Sequence, residues 1–223
     1  DVLEARNITV GYGQSPVLAS LSLKIRQGEV TALVGPNGSG KSTLLKTLAR
    51  LLRPQSGTVL LDGQPINQLS TTAVARRLAI LPQTHTAPIG ITVRELVEQG
   101  RYPHSGPLRM LRRQDHKAID FALEATGMMS LAGRLLSQLS GGERQRAWIA
   151  LTLAQSTPIL LLDEPTTFLD IGHQLEILEL VAGFNRSCGM TLVLVLHDLN
   201  HAARYTNRMV VLNGGAVVAD GKP

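Results

Sequence analysis

Cysteine is nearly missing: Cys188 stands alone among 223 residues. No disulfide can form within the chain, and a reducing cytoplasm is the natural setting. Aromatic residues make up 3%, too few for the stacked platforms that hold single-stranded nucleic acid. No apolar run approaches the roughly eighteen residues a membrane-spanning helix needs. The opening "DVLEARN" has neither the basic start nor the apolar stretch of a secretion signal, and the sequence starts at Asp1 without an initiator Met. Repeats, low-complexity tracts and sustained heptads are also lacking, which excludes solenoids and long coiled coils.

The remainder suits a globular domain: 43% hydrophobic and 17% charged. The length supports one sizeable core with room for a small second lobe. A net charge of +5 fits either a solvated basic surface or attraction to an anionic partner, whether nucleotide, nucleic acid or the inner membrane surface.

Periodicity organises the chain. "LSLKI" (Leu21 to Ile25) alternates and predicts a half-buried strand; "GTVLLDG" predicts another. Leucines at 44, 45, 48, 51 and 52 predict a helix over Thr43 to Leu52, ended by Pro54 and Gly57. From about Thr84 the character changes. A basic loop, "RYPHSGPLRMLRR", precedes an amphipathic pattern from Asp115 to Thr126. This predicts a mainly helical lobe, approximately 84–155, inserted into a single domain of residues 1–223. The aliphatic runs Ile159 to Leu162 and Thr191 to Leu196 predict strands buried on both faces of a parallel sheet. "MVVLNGGAVVADG" predicts a hairpin turning at Asn213 to Gly215.

The run "GPNGSGKST" follows the apolar Val30 to Val34 and opens a helical pattern. Gly35-x-x-x-x-Gly40-Lys41-Ser42 is the P-loop spacing in the context it requires. Glycines let the backbone turn and aim amides at an anion; the helix adds its unpaired N–H groups and positive dipole end. Gly35, Pro36, Asn37, Gly38, Ser39, Gly40, Lys41, Ser42 and Thr43 are therefore the expected nucleotide-binding residues. Lys41 is expected to reach the β- and γ-phosphates, and the Ser42 hydroxyl to ligate Mg²⁺. In "ILLLDEP", Asp163 ends an apolar strand, where a parallel sheet places its ligand crevice. It is the second expected anchor for Mg²⁺, through water. Glu164 follows, positioned to polarise an attacking water or to serve as a supporting salt bridge. His197 ends a third apolar strand, "TLVLVLH", and is expected on the phosphate side. Gln83 closes the short run Leu78 to Leu81.

"LSGGERQR" separates the classes. Ser140-Gly141-Gly142 directly precedes a helix predicted over Glu143 to about Ala154, repeating the glycine-then-helix logic of the first site. The chain thus carries two phosphate-binding ends but one metal carboxylate. A head-to-tail dimer resolves this, each copy's "LSGGE" closing the other's ATP.

These motifs, in this order and across the whole chain, resemble the ATP-binding subunit of an ABC transporter: Walker A "GPNGSGKST", Q-loop "LPQ", signature "LSGGE", Walker B "ILLLDEP", D-loop "FLD" ending at Asp170, and the switch histidine in "LHD". The resemblance implies an α/β fold: a P-loop NTPase core of mostly parallel sheet with flanking helices, an N-terminal antiparallel β part and an inserted helical lobe. It implies ATP and Mg²⁺ as ligands, with Glu164, His197 and Gln83 catalytic, Ser42, Gln83 and Asp163 at the metal, Tyr12 stacking on adenine, and Ser140, Gly141, Gly142 and Glu143 reaching the partner's ATP. Partners would be a second copy in the ATP state, integral-membrane permease subunits docking near Gln83 and, indirectly, a substrate-binding protein. Nucleic acid is not expected. The setting would be peripheral, on the cytoplasmic face of the inner membrane. Trp148 and the leucines around it are expected to be core.

"GITVRELVEQGRYPH", "DEPTTFLDIGHQLEIL" and "LHDLNHAARY" narrow the resemblance to importers of iron(III)–siderophore chelates, ferric citrate, haem and cobalamin, nearest the ferric-chelate branch. The competing readings are a haem or cobalamin importer and an ABC ATPase acting on DNA or ribosomes. The missing heptads and the single cassette weigh against the last two.

Overall fold

Alternating burial in the N-terminal part builds one sheet and continuous burial later builds another. The computed structural model describes residues 1–13, 15–104 and 110–223. Strands β1 (Leu3–Tyr12) and β2 (Ser15–Ile25) pair antiparallel, with Leu3 opposite Ile25. Strand β3 (Val30–Val34) leads into helix α1 (Lys41–Leu48). Next come β4 (Ser56–Leu61), β5 (Gln64–Pro65), α2 (Thr71–Ala75) and β6 (Leu78–Leu81). Helices α3 (Val93–Glu98), α4 (Arg113–Ala125) and α5 (Gly141–Ala154) lie between β6 and β7 (Ile159–Asp163). The chain continues through α6 (Ile171–Cys188), β8 (Thr191–Val195), α7 (Leu199–Tyr205), β9 (Arg208–Asn213) and β10 (Ala216–Gly221).

The first sheet has the order β2-β1-β4-β5, and the second β10-β9-β3-β8-β7-β6. In the second sheet every pairing is parallel except the β9–β10 hairpin. Strands β3, β7 and β8 are buried at every position, and the period of two divides their side chains between two cores. Leu33, Leu161 and Val193 face the cluster that holds Leu44, Leu45 and Leu48 of α1 and reaches the first sheet. Ala32, Leu160 and Leu192 face the other cluster, with Leu96, Ile119 and Ala150 of the helical segment. Burial on both faces is why these runs show no polar alternation. Each fully buried leucine contributes about 1.5–3 kcal/mol relative to exposure.

Local boundaries differ from those predicted. Helix α1 ends at Leu48, not Leu52, because Arg50 takes a left-handed φ of 62°. Its turn is closed by the Leu51 amide donating to the Lys46 carbonyl, and Leu51 is left exposed. Helix α5 starts at Gly141, two residues before the predicted start. Strand β2 extends well upstream of Leu21. The helical segment is pinned by a buried ion pair, Arg101 Nε to Asp115 Oδ1 at 2.9 Å, and by Arg101 Nη1 donating to the Ala154 carbonyl. Residues 105–109 of the predicted basic loop lie outside the described residues. Among the described residues no helix is long and apolar enough to cross a membrane.

Candidate nucleotide site

The loop after β3 is shaped by what glycine alone permits. Gly35 has φ 140°, and a Cβ there would sit 2.0 Å from the Leu212 carbonyl oxygen of β9. Gly40 has φ 98°, and its Cβ would meet Leu18 at 2.5 Å. Gly40 is also the N-cap of α1 and offers no side-chain cap; no acid occupies the first turn. Helices α3 and α5 each close their N-terminus with a capping box and an acid, Glu95 and Glu143 respectively. Helix α1 therefore presents unpaired N–H groups and an uncompensated dipole end, which is what an anion satisfies.

A cleft of about 500 Å³ opens over this turn, lined by Asn37, Gly38, Gly40 and Lys41 together with Ser42 and Thr43. Tyr12, at the end of β1, lines its mouth and is 62% exposed. Lys41 Nζ donates to the carbonyls of Gly35 and Pro36, each at 2.9 Å. Burial lowers its pKa, opposed by the charges of Glu164 and Asp163. The Ser39 hydroxyl is buried in the same turn without a hydrogen-bond partner among the described residues.

Asp163 ends β7 and is buried. Its Oδ1 accepts from the Ser42 hydroxyl at 2.8 Å, while Oδ2 is buried with no hydrogen-bond partner among the described residues. Burial raises this carboxyl's pKa. A hydroxyl and an orphaned carboxylate oxygen beside a phosphate-type turn form a hard oxygen donor set, and they fit Mg²⁺. Among the described residues no three His, Cys, Asp or Glu side chains gather into a metal-binding group. A cation here would take its other ligands from phosphate and water.

Glu164 follows with a left-handed φ of 52°, uncommon for a non-glycine residue and typical of strained functional turns. Both of its carboxylate oxygens are engaged. Oε2 accepts from Gln83 Nε2 at 2.6 Å and from the Thr167 hydroxyl at 3.0 Å. Oε1 lies 2.6 Å from His197 Nε2. The ends of β6, β7 and β8 are parallel neighbours, so Gln83, Glu164 and His197 meet at one edge of the sheet. All three line the same cleft as the P-loop. Thr167 was not singled out from the sequence; its place three residues after Glu164 in a Thr-rich turn was the available signal.

The Ser140–Glu143 group stands elsewhere. The Ser140 hydroxyl accepts from the Glu143 amide, and the Glu143 carboxylate accepts from the Ser140 amide at 2.8 Å. That amide, with the Ser140 hydroxyl, holds the Glu143 pKa below its ordinary value. Neither this group nor Asp170 lines the cleft. Asp170 instead caps α6, its Oδ1 accepting from the His173 amide at 3.0 Å. Trp148 is half-buried against the core as expected, and its ring also packs on His85, with centroids 4.7 Å apart. His85 Nε2 is 3.5 Å from Gln145 Oε1, and its Nδ1 is buried without a hydrogen-bond partner among the described residues.

The family profile described as "ABC transporter" matches residues 18–167. The Bacillus subtilis iron(3+)-hydroxamate import ATP-binding protein FhuC is 49% identical over 219 residues, covering 98% of this chain and 81% of its own. The Escherichia coli ferric enterobactin transport ATP-binding protein FepC is 50% identical over 221 residues, covering 99% and 82%. A solved dimeric ATP-binding cassette in a post-hydrolysis state, bound to ADP and Pi, superposes with a TM-score of 0.85 at 29% identity, covering 99% of this chain and 98% of that one.

Proposed function

For a chain that belongs to the ABC transporter family, we infer the role of ATP-hydrolysing subunit in an importer of ferric chelates. The chain is an ATPase of that family, and its relatives serve ferric hydroxamate and enterobactin import. One observation carries the catalytic reading: Gln83 and His197 both hold Glu164 at the edge of the P-loop cleft. Three residues from three separate strand ends thus meet beside the P-loop turn.

Lys41 and the α1 amides bind the phosphates, and Tyr12 stacks on the base. Ser42 and Asp163 would hold Mg²⁺, which when bound neutralises charge on the phosphate oxygens. Glu164 takes a proton from the attacking water as the water oxygen bonds to the γ-phosphorus. The bond from that phosphorus to the β–γ bridging oxygen breaks, and its electron pair stays on the ADP side. Gln83 and His197 orient the Glu164 carboxylate. Ser140–Glu143 lies outside the cleft, so a second copy supplies its signature to each nucleotide and ATP fastens the pair. Loss of the γ-phosphate removes that differential affinity and the pair opens.

The expected setting is peripheral, at the cytoplasmic face of the inner membrane, with permease subunits docking near Gln83 and an external binding protein acting indirectly. Uptake of labelled ferric hydroxamate and ferric catecholate in cells lacking this chain tests the reading. Uptake is lost, and returns with the native chain but not with Glu164→Gln. Normal ferric-chelate uptake with lost haem or cobalamin uptake would move the cargo to those importers. Co-purification with DNA or ribosomes in place of a polytopic membrane protein would overturn transport.

A further inference from the structure

Gly142 poses a question its own backbone does not answer. It sits in the first turn of α5 with no positive φ, where alanine would favour the helix by about 0.8–1 kcal/mol. Gly141 is exposed, but Gly142 is buried. The space its side chain would fill is already taken. A Cβ there would lie 2.5 Å from Cδ2 of His173, 3.1 Å from Cγ and 3.2 Å from Nε2.

The ring that fills this space is fixed from its other side. His173 Nδ1 lies 2.7 Å from Asp170 Oδ2, and its backbone amide donates to Asp170 Oδ1. One carboxylate thus caps α6 and orients the imidazole. The loop before it is held too, by Gln174 Nε2 donating to the Leu169 carbonyl. One turn further along, Arg146 of α5 pairs with Glu176 of α6 at 2.5 Å. Asp170 and Glu176 from its own segment and Arg146 from α5 are the charged groups acting on His173. The hydrogen bond to Asp170, then its charge, raises the histidine's pKa.

We propose that His173 is a positioning residue: its imidazole joins Gly142 of the signature to Asp170 of the loop after β7, and so seats the N-terminus of α5 for the partner copy's phosphates. The proposal rests on the dimer reading above. It gives position 142 a second, intramolecular reason to be glycine beside its approach to the partner's phosphate, and it makes the β7–α6 loop and the signature move as one body. His173 does not line the P-loop cleft, so its effect is confined to closure.

The test measures ATP-dependent dimerisation by light scattering, using the full chain with Glu164→Gln as parent. Adding Gly142→Ala forces a methyl into the ring. The ring is exposed on its outer side but tied to Asp170, so the methyl displaces it against that bond and the ATP concentration for half-dimerisation rises about tenfold, at the low end of the cost of overpacking. Combining Gly142→Ala with His173→Ala removes the clash and recovers most of that loss, to within about threefold of His173→Ala alone. His173→Ala alone weakens closure. His173→Asn, whose amide nitrogen can take the place of Nδ1 toward Asp170, restores part of it. ATP binding by the monomer stays unchanged throughout. The proposal is overturned if His173→Ala closes like the parent, or if it fails to rescue Gly142→Ala. No ATP-dependent dimer in the parent itself would sink the dimer reading first, and this inference with it.

Discussion

Gln83 Nε2 donates to Glu164 Oε2 across 2.6 Å, although 81 positions separate them in the chain. The contact follows from strand register. Leu81 of β6 pairs with Leu162 of β7, so the residues just past each strand emerge side by side. His197, just past β8, arrives on the other side of the same carboxylate by the same rule. A carboxylate held from both sides is fixed in direction before any water arrives.

Glu164→Gln removes the proposed proton acceptor while keeping a side chain of the same size. ATP turnover falls by about 10²–10⁴-fold, the usual loss for a general base, and the ATP-bound dimer accumulates. Phosphate release and light scattering on one sample measure both. Brisk turnover in this variant would strip Glu164 of its role.

Lys41→Ala deletes a buried cation whose two hydrogen bonds end on P-loop carbonyls. ATP affinity falls about tenfold or more, as for a lost charge-assisted hydrogen bond. Equilibrium titration with a fluorescent ATP analogue reads the change; an unaltered curve would contradict the assignment.

Ser140→Arg replaces the α5 cap with a long cation outside the cleft. Nucleotide binding by the single chain is retained, and dimer formation is blocked. Dimers persisting at saturating ATP would remove the signature from the interface.

His85 gives a pH dependence whose sign is fixed. Burial pushes its pKa below the ordinary histidine value, so the unfolded chain takes up this proton first as pH falls. The stability contribution of neutral His85 is complete above the unfolded pKa of about 6.5. It is lost as pH falls from there toward the folded value. The urea midpoint drops between about pH 7.5 and 5.5, and His85→Phe, which keeps a ring on Trp148, shows a shallower drop. Trp148 is the one tryptophan of the chain, so its emission follows the transition at this contact. Equal slopes for the two proteins would refute the link.

Asp115→Ala leaves Arg101 charged and buried. Breaking such a pair costs about 3–5 kcal/mol, seen as a lower urea midpoint with secondary structure retained at zero urea. A cost below about 1 kcal/mol would place the pair among ordinary surface salt bridges.

The sequence by itself determined the strand periodicity and the chemistry of the phosphate turn. The aliphatic runs ending at Leu162 and Leu196 were legible as strands of a parallel sheet because burial on both faces leaves no polar alternation. The turn at Gly35 to Gly40 was legible because few residue types tolerate its backbone angles. The end of α1 is not legible in this way, since Leu51 and Leu52 continue the helical period while Arg50 breaks the helix through an angle that composition does not announce. Only the tertiary structure decided what meets what. It brought Gln83 and His197 onto one carboxylate, set His85 against Trp148, and placed His173 where the side chain of residue 142 would be. The physical reason is the same in each case. Local spacing fixes periodicity and turn chemistry, whereas strand order and helix packing choose which distant residues share a few ångströms.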